Sequence, residues 1–107
     1  MKRNNDILRE LLLEAEADES PFFLVPYTQD TEDARNAYHA KLLCDVGLFE
    51  EVNDQVYRLT SQGHDFLAAT KLEGAWEKIQ STAGHLSIEA MKVVGDKIIR
   101  QSLDDLT

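Results

Sequence analysis

Apolar residues recur at three- and four-residue intervals over residues 6–17. Ile7, Leu8, Leu11, Leu12 and Ala15 fall on one side, and Asp6, Glu10 and Glu14 line another. That spacing predicts an amphipathic helix. Asn4 or Asn5 stands where a cap is needed, and Ser20-Pro21 ends the helix, because proline disfavours helix at the residue before it. The next run, PFFLVPYTQ at 21–29, is apolar with two prolines. It predicts extended chain and a short edge strand, since proline cannot donate to a sheet ladder. Helical spacing returns over 31–46, with Ala34, Tyr38, Leu42 and Val46 as the expected apolar stripe. Asp30 or Thr31 is the expected cap, and Glu32 and Asp33 sit in the first turn, where the helix dipole favours acids. Gly47 has the position of a left-handed stop.

Residues 48–60 then read as a hairpin. Strand-like runs Leu48–Val52 and Gln55–Thr60 flank Asn53-Asp54, both of which tolerate the positive φ of a two-residue turn. Thr60 is placed to cap a helix over about 61–72 that turns Phe66 and Leu67 inward. Glu73-Gly74 interrupts the pattern, a short helix with Trp76 and Ile79 follows to about Gly84, and Ser87 caps a last helix. The fold class expected is mainly α with a small β wing: a winged helix-turn-helix plus a C-terminal helical extension. It forms a single domain over 1–107, with a core of about 6–72 and an extension of about 73–104.

Two stretches carry a resemblance. His39-Ala40-Lys41-Leu42-Leu43 leading to Val46-Gly47-Leu48, and Leu59-Thr60-Ser61-Gln62-Gly63 opening the following helix, resemble the helix exit and wing re-entry of the MarR and PadR groups of bacterial regulators. A closer similarity is to an uncharacterised bacterial and prophage winged-helix family, domain of unknown function 2513. It extends over the Met-Lys-Arg opening, the leucine-rich first helix and Tyr38-His39 to Gly47-Leu48. It continues through Leu59-Thr60, Gly63-His64-Asp65-Phe66-Leu67 and Trp76. The resemblance implies a winged-helix fold and a phage or mobile-element setting. It supplies no catalytic residue.

Charge alters what that fold would ordinarily mean. Twenty acidic residues against eleven basic give a net charge of −9. DNA binding draws much of its affinity from cations that neutralise phosphates. The expected recognition helix, 31–46, carries Arg35 and Lys41 against Glu32, Asp33 and Asp45, and is net −1. The wing carries Arg58 against Glu50, Glu51 and Asp54, and is net −2. Arg35, Asn36 and Lys41 would form the base-reading surface if DNA were the ligand. The expectation is instead a protein partner, met through acidic clusters at 14–19 and 30–33, the latter with Glu32 and Asp33, together with Glu50 and Glu51 and with Asp54 on the same candidate surface, the acidic charge steering the encounter. A sequence-specific transcriptional regulator is the alternative.

Other chemistry finds little support. His39 and Cys44 are five residues apart, off one helical face, and no Cys-x-x-Cys or His-x-x-x-His spacing occurs, so neither a metal nor a cofactor is expected. There is no nucleophile elbow, phosphate-cradling glycine loop or dinucleotide fingerprint, so no enzyme activity is expected. Cys44 lies near the negative end of a helix dipole, which disfavours a thiolate. Its being the sole cysteine points to a reducing cytoplasm. No stretch approaches a membrane span. In the last helix Ile88, Met91, Val94, Ile98, Ile99 and Leu103 form an apolar stripe wider than one contact needs, which offers either a homodimer interface or a packing face for Trp76, Ile79 and the first helix.

Overall fold

The computed structural model describes residues 1–106. Its elements are helix α1 (Asn5–Ala17), strand β1 (Phe23–Leu24), helix α2 (Thr31–Asp45), strands β2 (Phe49–Asn53) and β3 (Val56–Leu59), and helices α3 (Ser61–Lys71), α4 (Ala75–Ala83) and α5 (Ile88–Asp104). The described residues are thus mainly helical, with one small antiparallel sheet of strand order β1-β3-β2. They divide into two compact units, Met1–His64 and the chain from Asp65 onward. The division falls inside α3.

In the first unit the helix ends are set by short-range chemistry. Asn4 Oδ1 accepts from the backbone N–H of Asp6 and Ile7 and so caps α1. Asp30 Oδ1 does the same for Glu32 and Asp33 at the start of α2. α2 stops at Gly47, whose φ of 76° is a conformation only glycine adopts without strain. α1 packs on α2 and β3, and α2 packs on β2. Leu8, Leu11 and Leu12 of α1 are buried, as are Ala37, Ala40 and Leu43 of α2. The inward face of α2 is therefore not the stripe expected from spacing. Ala34, Tyr38 and Leu42 are only half-buried, and the fully buried positions include a histidine, His39.

The hairpin also differs in its turn. Asn53 pairs with Val56 and Glu51 with Tyr57, so Val52 is an extra residue in β2 and the register shifts there. The left-handed residue is Gln55, at φ 61°, and not Asn53 or Asp54. Between β1 and β2 the chain forms one helix only, α2. The two-helix hairpin that a helix-turn-helix places there is absent among the described residues.

The second unit is helical. Phe66, Leu67 and Ala69 of α3, Ala75, Ile79 and Ala83 of α4, and Ile88 and Met91 of α5 are buried, and α4 packs on α5. Gly74 precedes α4, and Ser87 caps α5 by accepting from the N–H of Ala90. No helix among the described residues is long and apolar enough to cross a membrane.

Candidate functional site at the cleft between α2 and the hairpin

Ala34, Ala37, Tyr38 and Lys41 follow the i, i+3, i+4, i+7 spacing that puts side chains on one helix face. That face of α2 forms one wall of a cleft of about 460 Å³. Glu51, Asp54, Gln55 and Tyr57 of the hairpin form the opposite wall, and Val25 and Tyr27, with Met1, close the end. The size lies within the usual range of ligand sites, roughly 300–1,000 Å³.

Gln55 holds the cleft's end in place. Its backbone oxygen accepts from Val25 N at 2.9 Å, and its side-chain Oε1 accepts from Tyr27 N at 2.8 Å. The side chain thereby continues β1–β3 pairing past Leu24, where the ladder itself stops. A left-handed conformation costs an ordinary residue about 1–2 kcal/mol, and these two bonds offset it.

Sheet register sorts the hairpin's charges. Glu51 pairs with Tyr57, and both face the cleft. Glu50 pairs with Arg58 one residue away, on the opposite sheet face. Lys41 Nζ donates to Glu51 Oε1 at 2.5 Å and lies 5.8 Å from the centroid of the Tyr57 ring. Arg58 Nε donates to Glu50 Oε1 at 2.6 Å. The hydrogen bond to Glu51 raises the Lys41 ammonium above the ordinary lysine range. The same bond holds the Glu51 carboxyl below the ordinary glutamate range. A carboxyl lowered by folding contributes stability above its unfolded value and loses it as pH falls through the folded one. The Lys41→Met substitution is therefore expected to move Glu51 back up to the ordinary range, read by NMR of its side-chain carboxyl carbon during acid titration. An unmoved titration would mean that the pair does not form in solution.

Burial, with the Glu51 charge second, pushes both the Tyr57 hydroxyl and the Cys44 thiol up. Cys44 is half-buried and beside an acid, which is the reverse of the electropositive setting a nucleophilic thiolate needs. Among the described residues, no three histidine, cysteine or acidic side chains come together to hold a metal.

Of the residues singled out from sequence, the structure brings Lys41, Glu51 and Asp54 together at the cleft and sets Glu50 and Arg58 on the far sheet face. Glu32 and Asp33 stand in the first turn of α2, where Asp33 accepts from the Thr28 hydroxyl at 2.7 Å. Arg35 and Asn36 do not join Lys41. At 100° per residue they lie roughly 120° and 140° around the helix from it. His39 is buried in a fixed hydrogen-bonded setting, and His64 is exposed near the start of α3. In the α5 stripe Ile88 and Met91 are buried, Val94, Ile98 and Ile99 are half-buried, and Leu103 is exposed. Sequence reasoning missed Tyr27, Gln55 and Tyr57 as site residues. The one visible signal of the cleft is the i, i+4 helical spacing of Ala34 and Tyr38, which reads equally well as a core stripe.

The sequence matches the family described as "Hypothetical protein (DUF2513)" over residues 2–89. The chain belongs to that family. The DUF2513 match takes in every cleft residue except Met1 and ends near the start of α5. An uncharacterised protein of Haemophilus influenzae strain Rd is 32% identical over 117 aligned positions, covering 96% of this chain and 99% of the relative. No solved structure matches the chain.

Proposed function

We propose that this DUF2513 chain is a non-catalytic, cytoplasmic protein-binding module of winged-helix type. In this reading it is an adaptor, or an inhibitor of a nucleic-acid-handling protein, in a phage or mobile-element setting. The order α1-β1-α2-β2-β3-α3, with β2 and β3 as an antiparallel hairpin after α2, supports the winged-helix part. In this reading α2, the single helix between β1 and β2, takes the recognition position.

One observation carries the choice of partner. Two of the three cations on α2 and the hairpin are engaged by the hairpin's own acids, Lys41 by Glu51 and Arg58 by Glu50, which leaves Arg35 as the other exposed cation on α2. Freeing either cation for DNA would leave its carboxylate beside the phosphate backbone. Asp54, Glu32 and Asp45 remain exposed around the same elements. That arrangement repels a polyanion and attracts a basic protein surface.

Electrophoretic mobility shift at low salt, with random-sequence and host genomic duplexes, tests the reading. No retardation is expected at micromolar protein. Retardation that disappears as salt is raised would carry the signature of counterion release. It would establish the regulator in place of the protein-binding module.

A further inference from the structure

The cleft between α2 and the hairpin has a composition that selects for one kind of side chain. Its walls are apolar and aromatic, with Tyr27, Tyr38 and Tyr57 among them, and its polar groups are dominated by Glu51 and Asp54. Among the lining side chains Lys41 is the only cation, against the two carboxylates of Glu51 and Asp54. Asp54 accepts a neutral hydrogen bond from Gln55 Nε2 at 3.2 Å and has no cation partner among the described residues. A long cationic side chain matches each of these features. Its methylene stem packs on apolar walls, its charged head lies over an aromatic ring, and its donors reach a carboxylate. Arginine does this best, because its planar fork both stacks on rings and meets carboxylates in two parallel bonds.

The protein already contains that contact in intramolecular form. Lys41 reaches from α2 to Glu51 while its ammonium stands over the Tyr57 ring, half of its side chain still exposed. It fills one carboxylate and one ring face, and leaves Asp54 and the Tyr27 end of the cleft open.

We propose that the cleft receives an arginine side chain from an extended segment of a basic protein partner. Asp54 is its first carboxylate contact, and Lys41 is a resident cation that competes for Glu51. This inference rests on the protein-binding reading and adds the chemistry of the contact. It makes Lys41 an opponent of binding, whereas any anionic ligand would make it a contributor.

The test is an amide NMR titration of the full chain with three probes. These are a capped peptide of alternating arginine and glycine, its glutamate counterpart, and a short random-sequence DNA duplex. The arginine peptide is expected to shift the amides of Ala34, Tyr38, Lys41 and Gln55 saturably, and the glutamate peptide to leave them in place. Lys41→Met keeps the stem and removes the charge, so it is expected to tighten the arginine peptide about three- to fivefold. Asp54→Asn is expected to weaken it by a similar factor, since exposed charge pairs lie in that range. Both side chains are on the surface, and a dispersed amide spectrum shows that each variant is folded. Saturable binding that Lys41→Met weakens or leaves unchanged overturns the proposal. So does the absence of saturable shifts with the arginine peptide, and with no response to the duplex that outcome leaves the protein-binding reading standing. Shifts on α2 and the hairpin driven by the duplex and reduced by Lys41→Met overturn both.

Discussion

Gly63→Ala is expected to be among the most damaging single substitutions in the chain, although it places a better helix former inside a helix. Propensity alone favours alanine there by about 1 kcal/mol. Space decides the other way. A β-carbon at Gly63 would sit 2.2 Å from the Leu48 carbonyl oxygen and 2.5 Å from Leu59 Cδ1. Leu59 is a flexible side chain and can rotate. The Leu48 carbonyl cannot, because it accepts from Thr60 N at 3.1 Å and from the Thr60 hydroxyl at 3.0 Å. That hydroxyl also approaches the Gly47 carbonyl at 2.6 Å and accepts from Gly63 N at 3.0 Å. The exit of α2, the entry to the hairpin and the start of α3 thus meet at one threonine and one glycine. Overpacking usually costs about 1–3 kcal/mol and more where backbone must shift, so a net loss of about 3 kcal/mol is expected. For a chain of this size that lowers the melting temperature by roughly 12 °C, measured by thermal denaturation followed by circular dichroism. Gly74→Ala is the informative contrast, because its β-carbon would meet nothing within 4 Å, leaving only the cost of its φ of 72°. A Gly63→Ala protein that melts with the wild type would mean that α3 does not approach the hairpin this closely.

The Gly63 contact also shows what kind of structure the sequence discloses. Leu59-Thr60-Ser61-Gln62-Gly63 is legible as a helix start because a cap acts over three residues. The same locality makes Asn4, Asp30, Gly47 and Ser87 readable, and each stands where its chemistry predicts. The face of α2 was not readable. Ala34, Tyr38 and Leu42 make one apolar stripe, while Ala37, Ala40 and Leu43 make another, and periodicity cannot rank two apolar stripes on one short helix. The second is the core, and the first lines the cleft through Ala34 and Tyr38. A histidine at the buried face further disguised it. The turn is hidden for a related reason. Asparagine and aspartate tolerate positive φ, but the extra residue Val52 moves the turn along, and Gln55 takes that conformation because its two bonds to Val25 and Tyr27 hold it there. Those bonds and the Lys41–Glu51 pair join residues 10–30 positions apart, and no local rule specifies them. The cleft is made almost wholly of such contacts. The sequence did disclose its charge, because net acidity of α2 and the hairpin needs no pairing to be counted.

His39→Leu is the second substitution expected to have a large effect, and its cost is polar as well as steric. His39 has no exposed surface. Its Nε2 lies 2.8 Å from Asn4 N and its Nδ1 lies 2.7 Å from the Arg35 carbonyl oxygen. A backbone N–H can only donate and a carbonyl can only accept, so Nε2 is the acceptor and Nδ1 carries the proton. The ring is therefore the neutral Nδ1–H tautomer, with both nitrogens engaged. Asn4 is itself the cap of α1, and its side chain serves Asp6 and Ile7. One imidazole on α2 thereby fixes the residue that begins α1, thirty-five positions away. Leucine would fill much of the volume but offer no acceptor to Asn4 N. An unpaired, partly buried donor costs about 1–3 kcal/mol, and loosening a cap about 1 kcal/mol more. A loss of about 2–3 kcal/mol is expected. The diagnostic readout is local: hydrogen exchange of the first-turn amides of α1, Asp6 and Ile7, should accelerate more than that of the buried mid-helix residues Leu11 and Leu12. Uniform acceleration across α1 would show that His39 contributes bulk alone, and that the hydrogen bond to Asn4 does not hold the helix start.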